Sequence, residues 1–229
     1  MATFDINTTD VDVLNVFGAE AKGKTFLITG PSKNGIGAQA AISLASASPS
    51  LLILAGRDAA KISPICDEIK QVNPAVRVMI VQLDLASHES VRKVVESVEA
   101  ITKTVDFLIN NAGVMATRSF VLSEDSVESQ FAINYLSHFL FTNLLLKKGV
   151  VSSSGVILNV GSIGYTMADI NFEDINFQNG EKYNGWKGYG QAKSAQLLGT
   201  RGLANRLKGK DVAVLIAHPG GNLQHRPYT

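Results

Sequence analysis

The sequence predicts an α/β fold, a doubly wound parallel sheet in a single domain. Short apolar runs alternate with longer helical ones along the chain. Those runs lack clean alternation, as strands covered on both faces do. A turn crowded with glycines, "TGPSKNGIG", separates the first run from the helix after it. At 229 residues with 45% hydrophobic and 18% charged side chains, the chain suits one domain with a real core.

Residues 1–22 read as an N-terminal extension packed on the outside, and 23–229 as the domain. The first strand is predicted at 25–29 ("TFLIT"), and a helix at 35–47 follows the glycine turn. A strand at 51–55 leads to a helix at 58–72, with Asp58 placed to cap it. A strand at 76–83 and a helix at 87–102 repeat the pattern, and a fourth strand spans 105–109. One long apolar helix is expected over 123–148, then a strand at 155–160. The rhythm breaks at 162–188, which is irregular and rich in Gly, Asn and aromatics, so a substrate loop is expected near 163–188. A helix at 187–208 and a sixth strand at 212–217 close the pattern. In such a sheet the strands' carboxyl ends share one edge, where ligands bind.

Composition excludes several functions. A formal net charge of +1 invites neither nucleic acid nor an anionic membrane. The single cysteine, Cys66, rules out an internal disulfide and fits a reducing compartment, with cytoplasm as the expected location. The N-terminus does not read as a secretory signal, and "FAINYLSHFLFTNLLL" is too polar and too short to span a membrane. The four histidines, at 88, 138, 218 and 225, form no metal-ligand motif, so no metal is expected.

The glycine turn suits a dinucleotide. Gly30 allows the tight turn, Gly35 lets a pyrophosphate approach the backbone, and Gly37 lets the helix pack on the strand. The helix N-terminus then faces phosphate charge. A glycine-rich loop without a ligand is the alternative. "YGQAK" places Tyr189 and Lys193 one helical turn apart, on one face. A phenol titrates near pH ~10 when unperturbed, and a nearby ammonium would lower that value. The pair can then pass a proton to a carbonyl oxygen or take one from an alcohol. A surface lysine beside an interfacial tyrosine is the plainer alternative.

"TG" followed by "GIG" resembles the short-chain dehydrogenase/reductase family, although four residues, "PSKN", intervene rather than the family's usual three. Pro31 and Asn34 suit an outward turn, and such lengthened turns are similar to those of fungal members. The resemblance runs from about residue 23 to 220 and implies a Rossmann fold binding its cofactor through Gly30, Ser32, Lys33, Gly35, Ile36 and Gly37. The second strand ends "LILAGRD", with no carboxylate at its tip. Arg57 there can meet a 2′-phosphate, with Lys33 as a second cation, so NADP(H) is expected. Asp58 as a ribose ligand is the rival.

Further stretches match the family in order. "LDL" puts Asp84 at the adenine, and "NNAG" puts Asn111, Ala112 and Gly113 beside the cofactor. "HPGG" supplies Pro219 and Gly220 near the nicotinamide. The resemblance implies that Ser162 and Tyr189 hydrogen-bond the substrate oxygen and that Lys193 also holds the nicotinamide ribose. It also implies that Asn134 holds a water behind the lysine, although a satisfied core amide accounts for Asn134 equally. His138 reads as packing. The implied reaction is hydride transfer between nicotinamide and a carbonyl or alcohol.

The long spacing from Ser162 to Tyr189 resembles the retinol-dehydrogenase-like branch. Trp186, Phe172, Phe177 and Tyr183 are either pocket walls for a small apolar substrate or packing for the loop itself. Ala192, Ala195, Gly199 and Gly202 form a small-residue stripe suited to close approach, so a homodimer is plausible by resemblance. After "HPGG" only "NLQHRPYT" remains, where family members continue with a helix and a seventh strand. The expectation is therefore a sheet lacking the usual last strand. It leaves two readings: an oxidoreductase, with a place in a biosynthetic pathway as one expectation, or an inactive dinucleotide-binding remnant serving as a sensor or partner module.

Overall fold

A computed structural model describes residues 4, 5 and 7–220. Six parallel strands form one sheet: β1 (Thr25–Thr29), β2 (Leu51–Gly56), β3 (Arg77–Gln82), β4 (Val105–Asn110), β5 (Val151–Val160) and β6 (Ala213–Ala217). Their order is β3-β2-β1-β4-β5-β6, so the direction of winding reverses between β1 and β4. Helices cover both faces, which is why the strands read as unbroken apolar runs. Leu27 and Ile53 point into one layer with Val94, Val98, Phe141 and Leu203. Phe26, Ile28, Leu52 and Leu54 point into the other with Ala38, Ala41, Ile62 and Ile65.

The helices are α1 (Asp10–Ala21), α2 (Ile36–Ser46), α3 (Ala59–Val72), α4 (His88–Ile101), α5 (Ser129–Phe131), α6 (Ser137–Lys147) and α7 (Gly185–Arg206). A Thr9–Asp12 capping box starts α1. Asp10 accepts hydrogen bonds from Gln39 and Ser43 and so ties α1 to α2. Asp58 caps α3 by accepting from Ala60 N through one carboxylate oxygen.

The expected helix over 123–148 needs correction. Residues 123–128 are a turn closed by a Leu122–Glu128 bridge and by Ser123 N donating to Val127 O. The helix starts only after Glu128, whose buried carboxylate accepts from Gln130 N and Phe131 N. A π turn, Ala132–Leu136, then separates α5 from α6 and contains Asn134. Strand β5 starts at Val151, four residues before the predicted 155, because Val151 already pairs with Val105 ahead of a register shift. The helix expected over 187–208 begins at Gly185, capped by Asn184. Among the described residues β6 forms an outer edge of the sheet; "NLQHRPYT" and His225 lie outside them.

Candidate active site

Apart from Tyr189 and Lys193 on α7, every candidate residue of the cofactor site follows a strand's carboxyl end. The glycine turn leaves β1, Arg57 follows β2, Asp84 lies just past β3, and Asn111–Gly113 follow β4. Ser162 follows β5, and Pro219–Gly220 follow β6. Gly30 N donates to Ala55 O, and Gly161 N donates to Ala217 O, so neighbouring strand tips are laced together. Gly30 adopts φ +66°, and a side chain there would meet Ala112 at 2.7 Å. At Gly37 a Cβ would collide with the Asn111 carboxamide and sit 3.2 Å from Gly30 O. That carboxamide donates to Thr29 O and Gly30 O, so Asn111 binds the two turns together. At Gly35 a Cβ would fall 2.8 Å from Ser32 Oγ.

The end of α2 fits a phosphate. Gly35 is its N-cap and offers no side-chain partner, and Ser32, Lys33 and Ile36 stand exposed around it. First-turn N–H groups without a side-chain cap form an anion site. Arg57 is exposed, and neither it nor Lys33 forms an ion pair among the described residues. Asp84 accepts from Ala86 N through one carboxylate oxygen.

Across the sheet, Tyr189 and Ser162 converge above Gly164. A Cβ at Gly164 would lie 2.5 Å from Tyr189 Cε1 and 3.2 Å from Ser162 Oγ. Ser162 Oγ accepts from Gly164 N at 3.0 Å, which leaves its own proton to donate. Lys193 is buried, and its Nζ donates to Val160 O at 2.9 Å and to Gln196 Oε1 at 3.0 Å. Burial without a carboxylate partner pulls the ammonium down to about 8. The expectation that Lys193 lowers the phenol is not met. Burial pushes Tyr189 above the usual phenol value, and only Ser162 pulls the other way. Lys193 Nζ lies 5.8 Å from the Tyr189 ring centroid, turned toward Val160 and Gln196.

Asn134 is fully buried with both ends of its amide satisfied: Val114 N donates to Oδ1 at 2.8 Å, and Nδ2 donates to Val114 O at 2.9 Å. Gly113 must be small beneath it, since a Cβ would sit 2.9 Å from Asn134 Oδ1.

A family model described as short chain dehydrogenase matches residues 24–173. The chain belongs to that family. It is 41% identical to Retinol dehydrogenase 13 of Mus musculus over 204 residues, covering 88% of this chain and 59% of that protein. It is 30% identical to Oxidoreductase fscI of Fusarium equiseti over 95% of both. The chain thus spans about three-fifths of the mouse relative's length and nearly all of the fungal one's. A solved short chain dehydrogenase from Salmonella enterica has the same fold, with a TM-score of 0.68, 22% identity, and coverage of 87% of this chain and 77% of that one.

This member of the family carries a long segment between Ser162 and α7, and polar side chains strap it down. Gln191 accepts from Asn171 N and donates to Ile175 O, while Ser194 Oγ bonds Tyr165 O and Ala168 O. Tyr183 bonds Thr117 and accepts from Gln130. Its ring meets Phe120 and Phe177 edge-on. Phe177 and Tyr183 therefore pack the loop, whereas Phe172 and Trp186 stay 78% and 51% exposed. Sequence reasoning missed Glu128, Gln130, Gln191, Ser194 and Gln196. For Gln191, Ser194 and Gln196 the available signal was polar residues within the helix predicted over 187–208; Glu128 and Gln130 carried none. Gly199 is explained within the chain, since a Cβ would strike the Tyr135 ring; Gly202 faces open space. No helix among the described residues is long and apolar enough to cross a membrane.

Proposed function

We propose that the protein is an NADP(H)-dependent oxidoreductase moving a hydride between nicotinamide and a small apolar carbonyl or alcohol compound. The observation that carries this reading is the convergence of Tyr189 and Ser162 over Gly164, with Lys193 one turn along α7, at the sheet edge that bears the uncapped start of α2. Gly30, Ser32, Gly35, Ile36 and Gly37 would hold the pyrophosphate, and Asp84, Asn111, Ala112 and Gly113 would line its path. Pro219 and Gly220 would flank the nicotinamide. Arg57 and Lys33, unpaired near adjoining turns, favour a 2′-phosphate. Nicotinamide, when bound, supplies or accepts the hydride.

The chain's own residues handle the oxygen. Tyr189 Oη donates its proton to the carbonyl oxygen in reduction, a role suited to a phenol that burial keeps protonated. Ser162 donates a second hydrogen bond to the same oxygen as negative charge develops. Lys193 has one N–H left after Val160 and Gln196, and it is free for the ribose or the phenol. Asn134 fixes the wall behind the cofactor rather than the substrate. Phe172 and Trp186 favour an apolar substrate. Leu198, Phe139 and the open Gly202 on the outer side of α6 and α7 favour a homodimer, and the lone Cys66 favours the cytoplasm.

The test titrates the protein with NADPH and NADH, then assays a panel of apolar carbonyls beside Tyr189→Phe. NADPH should bind about tenfold tighter than NADH, and Tyr189→Phe should lower kcat by about 10²-fold or more. Equal affinities would reject the Arg57 assignment. Dinucleotide binding with equal, slow NADPH oxidation by wild type and variant would leave a binding module without turnover.

A further inference from the structure

His138 lies one turn after Asn134, buried in α6, with Nε2 2.9 Å from the Thr29 hydroxyl at the tip of β1. Thr29 Oγ1 also accepts hydrogen bonds from Asn111 N and Ala112 N, both at 3.0 Å. A hydroxyl has two lone pairs and one proton. The two backbone N–H groups occupy both lone pairs, so the hydroxyl proton has one place to go. It must point at His138 Nε2, which therefore accepts and carries no hydrogen. The ring proton is then on Nδ1.

We infer that His138 is a positioning residue: as the neutral Nδ1–H tautomer it takes the Thr29 hydroxyl proton and so turns that oxygen's lone pairs onto the Asn111–Ala112 turn. That turn is one wall of the proposed dinucleotide site, so its bearing on cofactor affinity rests on the function proposed above. Two further observations agree. Nδ1 is buried and makes no hydrogen bond of good geometry, and the backbone acceptors acting on the ring are those of Ile133 and Asn134 in the π turn, one helical turn before it. His138 also borders a cavity of about 20 Å³ that Asn159, Gln196 and Thr200 line, with room for one water. Burial and the nearby Lys193 charge also hold the ring neutral, with its pKa lowered to about 3. A second ring proton would put a donor against the hydroxyl and break the arrangement.

The experiment begins with cofactor-free wild-type protein. Its 15N spectrum should show His138 as the Nδ1–H tautomer, unchanged between pH 5 and 9. His138→Leu should speed hydrogen exchange at the Asn111 and Ala112 amides about tenfold or more, and His138→Gln, whose amide oxygen can replace Nε2, should restore most of the protection. NADP(H) Kd should rise about tenfold in His138→Leu, recover in His138→Gln, and appear in cofactor KM rather than kcat. A ring proton on Nε2 in wild type overturns the inference without any variant having to fold. Unchanged exchange at both amides in a folded His138→Leu also overturns it. If the tautomer and exchange come out as expected but wild type binds neither dinucleotide, the positioning stands and the proposed function fails.

Discussion

Gly37 shows how much one missing methyl group decides. The Asn111 carboxamide occupies the space a Cβ would take, and that carboxamide is what joins the glycine turn to the turn after β4. Because Gly37 sits in the first turn of α2 without a positive φ, the demand is one of space rather than of backbone conformation. Gly37→Ala should therefore weaken dinucleotide binding by about 10²-fold and lower stability by about 1–3 kcal/mol, the range for overpacking. Isothermal titration and urea unfolding check both. Gly30→Ala should cost as much or more, since it adds a left-handed φ of 66° to the clash with Ala112.

At the scale of elements, the start of α5 is the joint on which the long loop rests. Glu128 caps the helix with its carboxylate, takes Asn176 through its backbone N–H, and touches the Tyr183 hydroxyl. Burial pushes this carboxyl above its usual value. Glu128→Gln retains an acceptor and removes a buried charge, so thermal unfolding should shift by no more than a few degrees. Glu128→Leu leaves two N–H groups bare and should cost about 2 kcal/mol, with faster proteolysis within residues 169–182. This joint also marks the limit of what the sequence discloses. The strands were legible because an apolar run between turn signals has few other readings. The glycine turn and "YGQAK" were legible because their chemistry is compact in sequence. Glu128 was not: it lies in a polar stretch, and its partners stand up to 55 residues away. The π turn was hidden too, since apolar periodicity over 129–147 cannot register one extra residue. The orientation of Lys193 depends on Val160, a contact made only after β5 and α7 come together.

Among the described residues two bases, His138 and Lys193, are buried with lowered pKa values, and their titrations contribute to how stability varies with pH. His138 falls from an ordinary 6.5 to about 3, so between those values the unfolded chain binds more protons. Its contribution is fully present above pH 6.5 and is lost as pH falls toward 3. Lys193 falls from 10.5 to about 8, so stability rises with pH across that window. Below pH 8 the buried ammonium costs about 3 kcal/mol at most, before its hydrogen bonds offset part of it. Lys193→Met should unfold at a higher temperature than wild type at pH 7, with the gain shrinking toward pH 10.5. His138→Gln should flatten the acid limb of the same curve. Calorimetry from pH 4 to 10 reads both.

Gln191 and Ser194 leave α7 on faces other than the one Tyr189 and Lys193 share, yet all four ride the same rigid rod. The exposed aromatics of the loop and the proposed Tyr189–Lys193 pair consequently share one mount rather than two independent supports. Selection can rewrite the rim between the straps and alter which molecule is admitted, while the apparatus beneath keeps its alignment. Diversification of this lineage should accordingly accumulate in residues 169–182 and spare the rod's buried side chains.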